Sequence, residues 1–330
     1  MPGGIFSGIT LYLSWLYPRN RLALRMNTFV SLGAALAAFS GIIAYGITKM
    51  DTLSKLAGWS WIFVIEGLFT VVFGVLSFWL LPGDVSKART FGDQEKRNIG
   101  NASNEDVPED RKQSNKPLRE VALMFKSVHV WLGGVMSFTA GVKLYGTSFF
   151  LQMIVTQLGY STAKSELMII PPYVAGLVVA VAVGYFSDRF VCRGLSVGLC
   201  SLLGLVGFAL LLGSASNPVR YGSVVLAISG SLPAIGIITT WISNNAFSRM
   251  EKATALGFSG MMAGSASIMS VWVFGKLPEE STAIILLAFT AAEGILAIFN
   301  MMWLRRKNEQ AEAHRSRNTH DKGPVMFYIL

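Results

Sequence analysis

The sequence predicts an all-α integral membrane protein, and three observations indicate this class. Hydrophobic residues make up 52% of the 330 residues and charged residues only 14%, whereas a soluble domain is about 25% charged. The apolar residues are gathered in runs of roughly 20 or more, the length with which an α-helix crosses a bilayer. These runs are continuously apolar, unlike the short alternating strands of a membrane β-barrel. We therefore expect a bundle of transmembrane helices.

Eight of the apolar runs are long enough for a complete crossing. They cover residues 26–48, 59–81, 128–156, 167–187, 195–214, 221–244, 253–275 and 281–304. A further run, residues 3–17, is about 15 residues long, which is short for a crossing. We interpret it as the second half of a span, so the sequence predicts about eight full transmembrane helices and a partial one.

A hydrophilic segment, residues 82–126, divides the runs into two groups. It contains nine Lys or Arg and eight Asp or Glu, a composition that cannot bury a core. Two and a half spans precede it and six follow it, although many transporters consist of two six-helix halves. We expect residues 1–81 to be the remnant of an N-terminal half, residues 127–304 a six-helix C-terminal half, and residues 305–330 a tail. In this interpretation the first three helices and half of the fourth are missing from the N-terminus.

The basic residues between the runs predict the orientation of the helices. The loops on one side of the membrane hold 22 Lys or Arg, and the loops on the other side hold five. Because short loops rich in Lys and Arg stay in the cytoplasm, the central segment 82–126 and the tail are predicted to be cytoplasmic. We expect a multi-pass monomer in the plasma membrane, surrounded by the lipid bilayer.

The composition also excludes several function classes. The net charge of +9 does not indicate nucleic-acid binding, because the basic residues lie between apolar runs and not on one face. Cys192 and Cys200 are too few for a disulfide framework or a zinc site. The three histidines are His129, His314 and His320, and two of them lie in the tail. With no P-loop and no metal-ligand spacing, we expect no metal, no other cofactor and no enzymatic activity.

The run that ends at residue 187 leads into the stretch "GYFSDRFVCRG". This stretch resembles the loop signature of the major facilitator superfamily, which is roughly Gly-x-x-x-Asp-Arg-x-Gly followed by basic residues. The matching residues are Gly184, Asp188, Arg189 and Arg193. Val191 occupies the position of the second glycine of the signature, so the copy is degenerate.

Five further stretches narrow the resemblance. They read "GITLYLSWLYPR", "AGWSWIFVIEG", "KLYGTSFFLQMIVTQLGYS", "SELMIIPPYVAG" and "WISNNAFSRMEKATALGFSG". Together they are similar to the fungal anion:cation symporter branch of that superfamily, which includes allantoate, nicotinate and pantothenate permeases. The resemblance implies a helix bundle that moves a small organic anion, such as a carboxylate, a vitamin or a nitrogenous compound, in symport with protons by alternating access.

The signature residues are implied to form a cytoplasmic gate. Asp188 lies where a span ends, and a carboxylate there can accept hydrogen bonds from backbone amides at the N-terminus of a neighbouring helix while it pairs with Arg189 or Arg193. By resemblance, that neighbour begins near residues 25–28. The contacts would form only when the inner face is closed. The alternative is a turn with a basic membrane anchor.

Lys143 is the candidate ligand for the substrate carboxylate. It lies about sixteen residues past the inner end of its span, or roughly 24 Å at 1.5 Å per residue. Ionisable groups at such depth are costly and usually face a cavity or a partner, so we predict that Lys143 binds the substrate with help from Tyr145 and Ser148. The alternative is a lysine that snorkels to the outer interface. Asn244, at the end of another span, can hydrogen-bond a passing substrate or cap its helix.

Glu66 and Glu293 are the two carboxylates inside predicted spans. A low dielectric favours the protonated form of a carboxylate, which suits proton coupling. Both residues are therefore candidates for that role. For Glu66 the alternative is an ion pair or hydrogen bond that stiffens its helix, and Glu293 lies halfway along a helix that is often peripheral in this superfamily.

Two other functions remain as alternatives to a transporter. The chain is an inactive truncated fragment if the first helices, which the resemblance places around the cavity, are required for transport. An integral-membrane enzyme would need catalytic His, Asp or Cys residues at a membrane face, and the few histidines do not favour it.

Overall fold

A computed structural model describes most of the chain. The described residues are 3–48, 58–80, 121–122, 124–157, 161–214, 216–246, 248–317 and 328–330. Nearly all of the predicted central loop lies outside these ranges. The described residues are almost entirely α-helical, as the apolar runs predict.

Nine α-helices follow one another through the described ranges. They are α1 (Gly3–Leu16), α2 (Leu22–Thr48), α3 (Gly58–Leu80), α4 (Val128–Gln157), α5 (Thr162–Phe190), α6 (Arg193–Gly213), α7 (Asn217–Asn244), α8 (Arg249–Phe274) and α9 (Glu279–Arg317). One turn of 3-10 helix, Arg19–Arg21, joins α1 to α2.

The predicted spans correspond to helices α2 to α9, and the partial span corresponds to the 14-residue α1. Seven of the described helices are long and apolar enough to cross a membrane. The other long helix, α4, has 30 residues, and many of them are buried within the bundle. Several helices extend beyond the apolar runs, because backbone hydrogen bonding continues into the polar residues that flank them. The largest extension is that of α9, which continues past the predicted end at residue 304 to Arg317.

Helix α7 lies at the centre of the C-terminal bundle and packs against α4, α5 and α6. Most of its 28 residues are buried. Glycines allow it to approach α6 closely: a Cβ at Gly230 would lie 2.6 Å from the carbonyl oxygen of Cys200, and a Cβ at Gly207 would lie 2.7 Å from the Ala227 nitrogen. Small residues at such positions let two helix backbones meet, which is how helices associate when lipid supplies no hydrophobic driving force.

Helix α3 packs mainly against α2 and leaves the rest of its surface open. None of the residues Trp59–Trp79 is buried, and Phe78 and Trp79 are 90% and 88% exposed. Apolar side chains this exposed are stable in hydrocarbon and not in water, since burying each large side chain away from water is worth about 1.5–3 kcal/mol. The outer surface of the helices is therefore suited to lipid.

The two ends of the bundle carry different polar contacts. At one end, Asp188 of α5 lies beside the start of α2. At the other end Arg220 of α7 donates to Gln157 of α4 at 3.1 Å and pairs with Glu279 of α9, which also contacts Gln157. We refer to these as the Asp188 end and the Glu279 end.

Val191 is the only non-glycine residue with positive φ among those described, and it ends α5 in the left-handed conformation (φ 54°, ψ 30°). This is the position at which the loop signature has glycine. A left-handed conformation costs an L-residue about 1–2 kcal/mol, because Cβ approaches the following carbonyl oxygen. The backbone at this position therefore has the conformation that favours glycine, although the residue is valine.

We expect Val191→Gly to raise the unfolding midpoint of the detergent-solubilised protein by about 1–3 °C, since relief of strain exceeds the added entropy of the unfolded chain by a fraction of a kcal/mol. The matched control is Val178→Gly in the same helix, an exposed position with ordinary helical geometry. That substitution should lower the midpoint. If both substitutions lower it to the same extent, Val191 is not strained.

Candidate functional site

Asp188 connects the end of α5 to the start of α2. Its Oδ1 accepts a hydrogen bond from the Ala23 backbone N–H at 3.0 Å, and its Oδ2 accepts one from the Leu24 N–H at 2.9 Å. The first amides of a helix have no partner within the helix and carry a partial positive charge, so a carboxylate is their best acceptor. This contact links a helix of the predicted N-terminal half to a helix of the predicted C-terminal half.

Arg193 supports the same contact from the start of α6. Its guanidinium is fully buried and lies 2.8 Å from Asp188 Oδ1. It also donates to Ser187 Oγ at 2.9 Å and to the Arg19 carbonyl oxygen at 2.8 Å. The same Arg19 oxygen accepts a hydrogen bond from Asn244 Nδ2 at 3.1 Å. A buried guanidinium is tolerated only when it is paired and hydrogen-bonded, and Arg193 meets both conditions.

Gly184 lets the two helices approach closely enough for these bonds. A Cβ at this position would lie 2.8 Å from the Leu24 Cα, a distance that real side chains do not reach. One turn further along α5, Asn27 Nδ2 donates to the Ala180 carbonyl oxygen at 3.1 Å. We call the contact formed by Asp188, Arg193, Gly184 and the first turn of α2 the α2–α5 latch.

Three of the four signature residues therefore lie in the latch, and one does not. Arg189 is exposed and lies outside it. The helix that receives Asp188 is the expected one, but the bonded amides belong to residues 23 and 24 and not to residues 25–28. The reason is that α2 begins at Leu22, ahead of the apolar run, so its free amides come earlier.

A cavity of about 270 Å³ lies between α2, α4 and α5, in the half of the bundle nearer the Glu279 end. Its lining residues are Ala34, Ala37, Ala38, Ser40, Gly41, Leu144, Tyr145, Ser148, Gln152, Glu166, Ile169 and Tyr173. The wall on α2 consists of small residues, whereas α4 and α5 contribute the aromatic and hydrogen-bonding groups. The cavity thus has one side lined by small residues and one side lined by polar and aromatic residues.

The polar side is organised around Ser148, whose Oγ lies 2.8 Å from the Tyr173 hydroxyl and also donates to the Leu144 carbonyl oxygen. The Glu166 carboxylate lies directly against Gly41, and a Cβ there would collide with it. Of the described residues that line the cavity, Glu166 alone is an acidic or basic residue. The cavity can therefore offer hydrogen-bonding groups and one carboxylate to a ligand.

Lys143 does not reach this cavity. It is fully buried and forms an ion pair with Glu293 of α9, whose Oε2 also accepts a weak hydrogen bond from Ser201 Oγ at 3.4 Å. Successive residues of a helix turn by about 100°, so Lys143 and Tyr145 project to opposite sides of α4, whereas Tyr145 and Ser148 share a side. The predicted trio is therefore divided, with Tyr145 and Ser148 at the cavity and Lys143 on the opposite side of the helix.

The remaining predicted site residues lie elsewhere. Glu66 is exposed on α3, away from the cavity and from Lys143. Asn244 is buried beside the latch, where its side chain donates to the Arg19 oxygen. Glu166 was not predicted as a site residue, because it lies just outside the apolar run of residues 167–187. The 166, 169 and 173 spacing, which puts Glu166 and Tyr173 on one helical face, was the available signal.

Comparisons with known proteins identify the family. Residues 1–271 match the model of the Major Facilitator Superfamily. An uncharacterized transporter of Schizosaccharomyces pombe is 29% identical over 94% of this chain and 62% of its own length. The major facilitator-type transporter hxnP of Emericella nidulans is 28% identical over 94% of this chain and 63% of its own length.

A third relative, the high-affinity nicotinic acid transporter of Saccharomyces cerevisiae, is 26% identical over 94% of this chain and 58% of its own length. The chain thus spans about three fifths of the length of these relatives. Among solved structures, the proton:xylose symporter XylE bound to 6-bromo-6-deoxy-D-glucose has the same fold, with a TM-score of 0.62, 18% identity and coverage of 89% of this chain and 66% of the other. The long apolar helices, their packing and the family match agree, and this chain is a multi-pass membrane protein of the major facilitator superfamily.

Proposed function

We propose that the chain is a secondary transporter that works by alternating access. The observation that carries the proposal is the geometry of α2 and α5. The two helices are latched at the Asp188 end and border the cavity further along. A cavity on one side of a closed contact between the same two helices is the arrangement expected for one of the two access states of such a transporter.

The latch is a contact that can form and break during a transport cycle. It consists of a few charge-assisted hydrogen bonds at the ends of helices, so opening it does not disturb the hydrogen bonds within either helix. Two access states need to differ by only a few kcal/mol for both to be populated, and charged hydrogen bonds of about 1.5–3 kcal/mol each are on that scale. By the distribution of basic residues, the Asp188 end would face the cytoplasm.

The proposed substrate is a small organic anion. The resemblance to the fungal anion:cation symporter branch supports this class, as does similarity to a relative named as a nicotinic acid transporter. At about 270 Å³ the cavity lies just below the range of roughly 300–1,000 Å³ found for ligand sites, so only a small ligand would fit it. Tyr145, Ser148, Gln152 and Tyr173 supply the hydrogen-bonding groups for it.

We assign proton coupling to Glu166. When ionised, a carboxylate that lines the cavity repels an anion, whereas its protonated form is neutral and donates a hydrogen bond. Anion and proton would therefore bind together, which is the requirement for symport. Glu66 and Glu293, the sequence-based candidates, lie outside the cavity, and the buried position of Glu293 favours a structural pair with Lys143.

The first prediction concerns the latch. A reporter cysteine replaces Ala23, which is fully buried, in a chain that carries Cys192→Ser and Cys200→Ala. Asp188→Asn should raise the rate at which an impermeant maleimide labels this cysteine from the Asp188 side about tenfold, because it weakens charged hydrogen bonds by about 1.5–3 kcal/mol. Nicotinate uptake should fall. Arg189→Gln is the control and should change neither. Unchanged labelling in Asp188→Asn would exclude a gating role for the latch.

The second prediction tests the coupling residue. Glu166→Gln keeps a hydrogen-bonding side chain but cannot take up or release a proton. The variant should therefore still exchange labelled nicotinate at equal pH on both sides, but it should no longer accumulate nicotinate when a proton gradient is imposed. Glu280→Gln, an exposed carboxylate at the same end, is the matched control and should accumulate nicotinate as the unmodified chain does. Proton-driven accumulation that persists in Glu166→Gln would place the coupling group elsewhere.

The third prediction separates a structural ion pair from a coupling site. Lys143→Met leaves the buried Glu293 carboxylate without its cation and should destabilise the protein by about 3–5 kcal/mol. Adding Glu293→Gln should restore most of the unfolding midpoint and leave nicotinate uptake coupled to protons. A double variant that is stable but uncoupled would instead assign the proton step to Glu293.

A further inference from the structure

Residues Tyr328, Ile329 and Leu330 bind across one end of the C-terminal bundle. The Arg193 backbone N–H at the start of α6 donates to the Leu330 backbone oxygen at 2.6 Å. At the end of α7, Trp241 Nε1 donates to the Ile329 carbonyl oxygen at 2.8 Å. The segment therefore joins the ends of two helices that meet at the latch.

Two asparagines hold the segment by paired contacts. The Asn245 side chain donates to the Ile329 carbonyl oxygen at 3.1 Å and accepts from the Ile329 N–H at 2.8 Å. Asn308, on the part of α9 beyond the predicted span, makes the same pair with Tyr328, at 2.9 and 2.8 Å. Both pairs bind the backbone, so they require an extended segment in this position. We call Arg193, Trp241, Asn245 and Asn308 the tail clamp.

The side chains of the segment add apolar contact. Tyr328 and Leu330 pack against the core cluster that contains Ala23 and Trp241. Ala23 is also one of the two residues whose amides bind Asp188. The segment therefore packs against the same core cluster to which the first turn of α2 belongs.

The tail clamp and the latch share their supports. The Arg193 backbone holds Leu330, while its guanidinium holds Asp188 and the Arg19 oxygen. Asn245 holds Ile329, and its neighbour Asn244 holds the same Arg19 oxygen. When the segment is bound, the ends of α6 and α7 are fixed in the positions from which they support the latch.

Removal of the segment would leave several buried polar groups without partners. Trp241 is fully buried and Asn245 is 6% exposed, and the hydrogen bonds of both side chains go to Ile329. A buried donor or acceptor without a partner is costly, so the helix ends would shift or admit water to satisfy these groups. Either change would loosen the supports of Asp188.

We propose that residues 328–330 act as an intramolecular bolt that favours the latched state, and that release of this segment opens the latch. The inference rests on the proposed function in one respect, namely that the α2–α5 latch is a gate. It adds a regulatory element that the transport cycle itself does not require. Any partner or modification that removed the segment from the tail clamp would then shift the protein towards the open state.

The test uses the Ala23→Cys reporter and impermeant maleimide labelling from the Asp188 side. Deletion of residues 328–330 should raise the labelling rate about fivefold, and Asn308→Ala in the intact chain should raise it in the same direction. Glu309→Ala, an exposed neighbour that pairs with Arg305, is the matched control and should leave the rate unchanged. A second reporter at Ala266, fully buried in the other core cluster, should label slowly in every variant.

The labelling rates distinguish failure of the role proposed for residues 328–330 from failure of the role proposed for the α2–α5 latch. If Asp188→Asn raises labelling at position 23 but the deletion and Asn308→Ala do not, the proposed role of residues 328–330 is wrong, whereas the gating role of the α2–α5 latch is supported. If none of the three raises it, both are wrong. If the deletion raises labelling at Ala266 as much as at Ala23, the segment only stabilises the fold, and the proposal is again wrong.

Discussion

The arrangement of this bundle depends on the contact between the Asp188 carboxylate and the first amides of α2. Those amides have no partner within their helix, and the carboxylate accepts hydrogen bonds from two of them. The same carboxylate makes it possible to bury Arg193, since a guanidinium without a counter-ion would not be stable there. Arg193 in turn binds the Arg19 oxygen and fixes the turn before α2. These groups therefore support one another through the contacts that they share.

The latch also explains where the cavity lies. Gly184 brings α5 into backbone contact with α2 at one end, and Asn27 extends this contact by about a turn. Beyond it, α2 presents alanines and Gly41 to the bulky residues of α5, among them Glu166 and Tyr173, and space opens between the two helices. The chemistry differs accordingly along the pair: backbone amides and the Asp188 carboxylate at the latch, and side-chain hydroxyls with the Glu166 carboxylate at the cavity. In the proposed transport cycle, this separation would let one helix pair serve both gating and binding.

Much of the fold could be predicted from the sequence, because the length of an apolar run is set by the thickness of the membrane. The apolar runs predicted where the helices lie. The ends of a helix differ from the ends of its run where polar residues continue the helix, as at Leu22 and Arg317. The partner helix of Asp188 was predictable from resemblance, but the bonded residues were not, since they depend on where α2 starts. The position of residues 328–330 left no pattern in the sequence, because the tail clamp binds their backbone.

The charged residues within the helices show why the depth of a residue in a predicted transmembrane span does not by itself identify a binding site. A buried charge must be compensated, but either another residue of the chain or a ligand can compensate it. Lys143 and Glu293 compensate each other from helices 150 residues apart in the sequence, and no spacing rule within one helix predicts such a pair. Glu166 instead lies at the edge of an apolar run, and a face of small residues on α2 leaves room beside it. A charged side chain that lines a cavity is therefore a better candidate for a binding role than one that is paired within the fold.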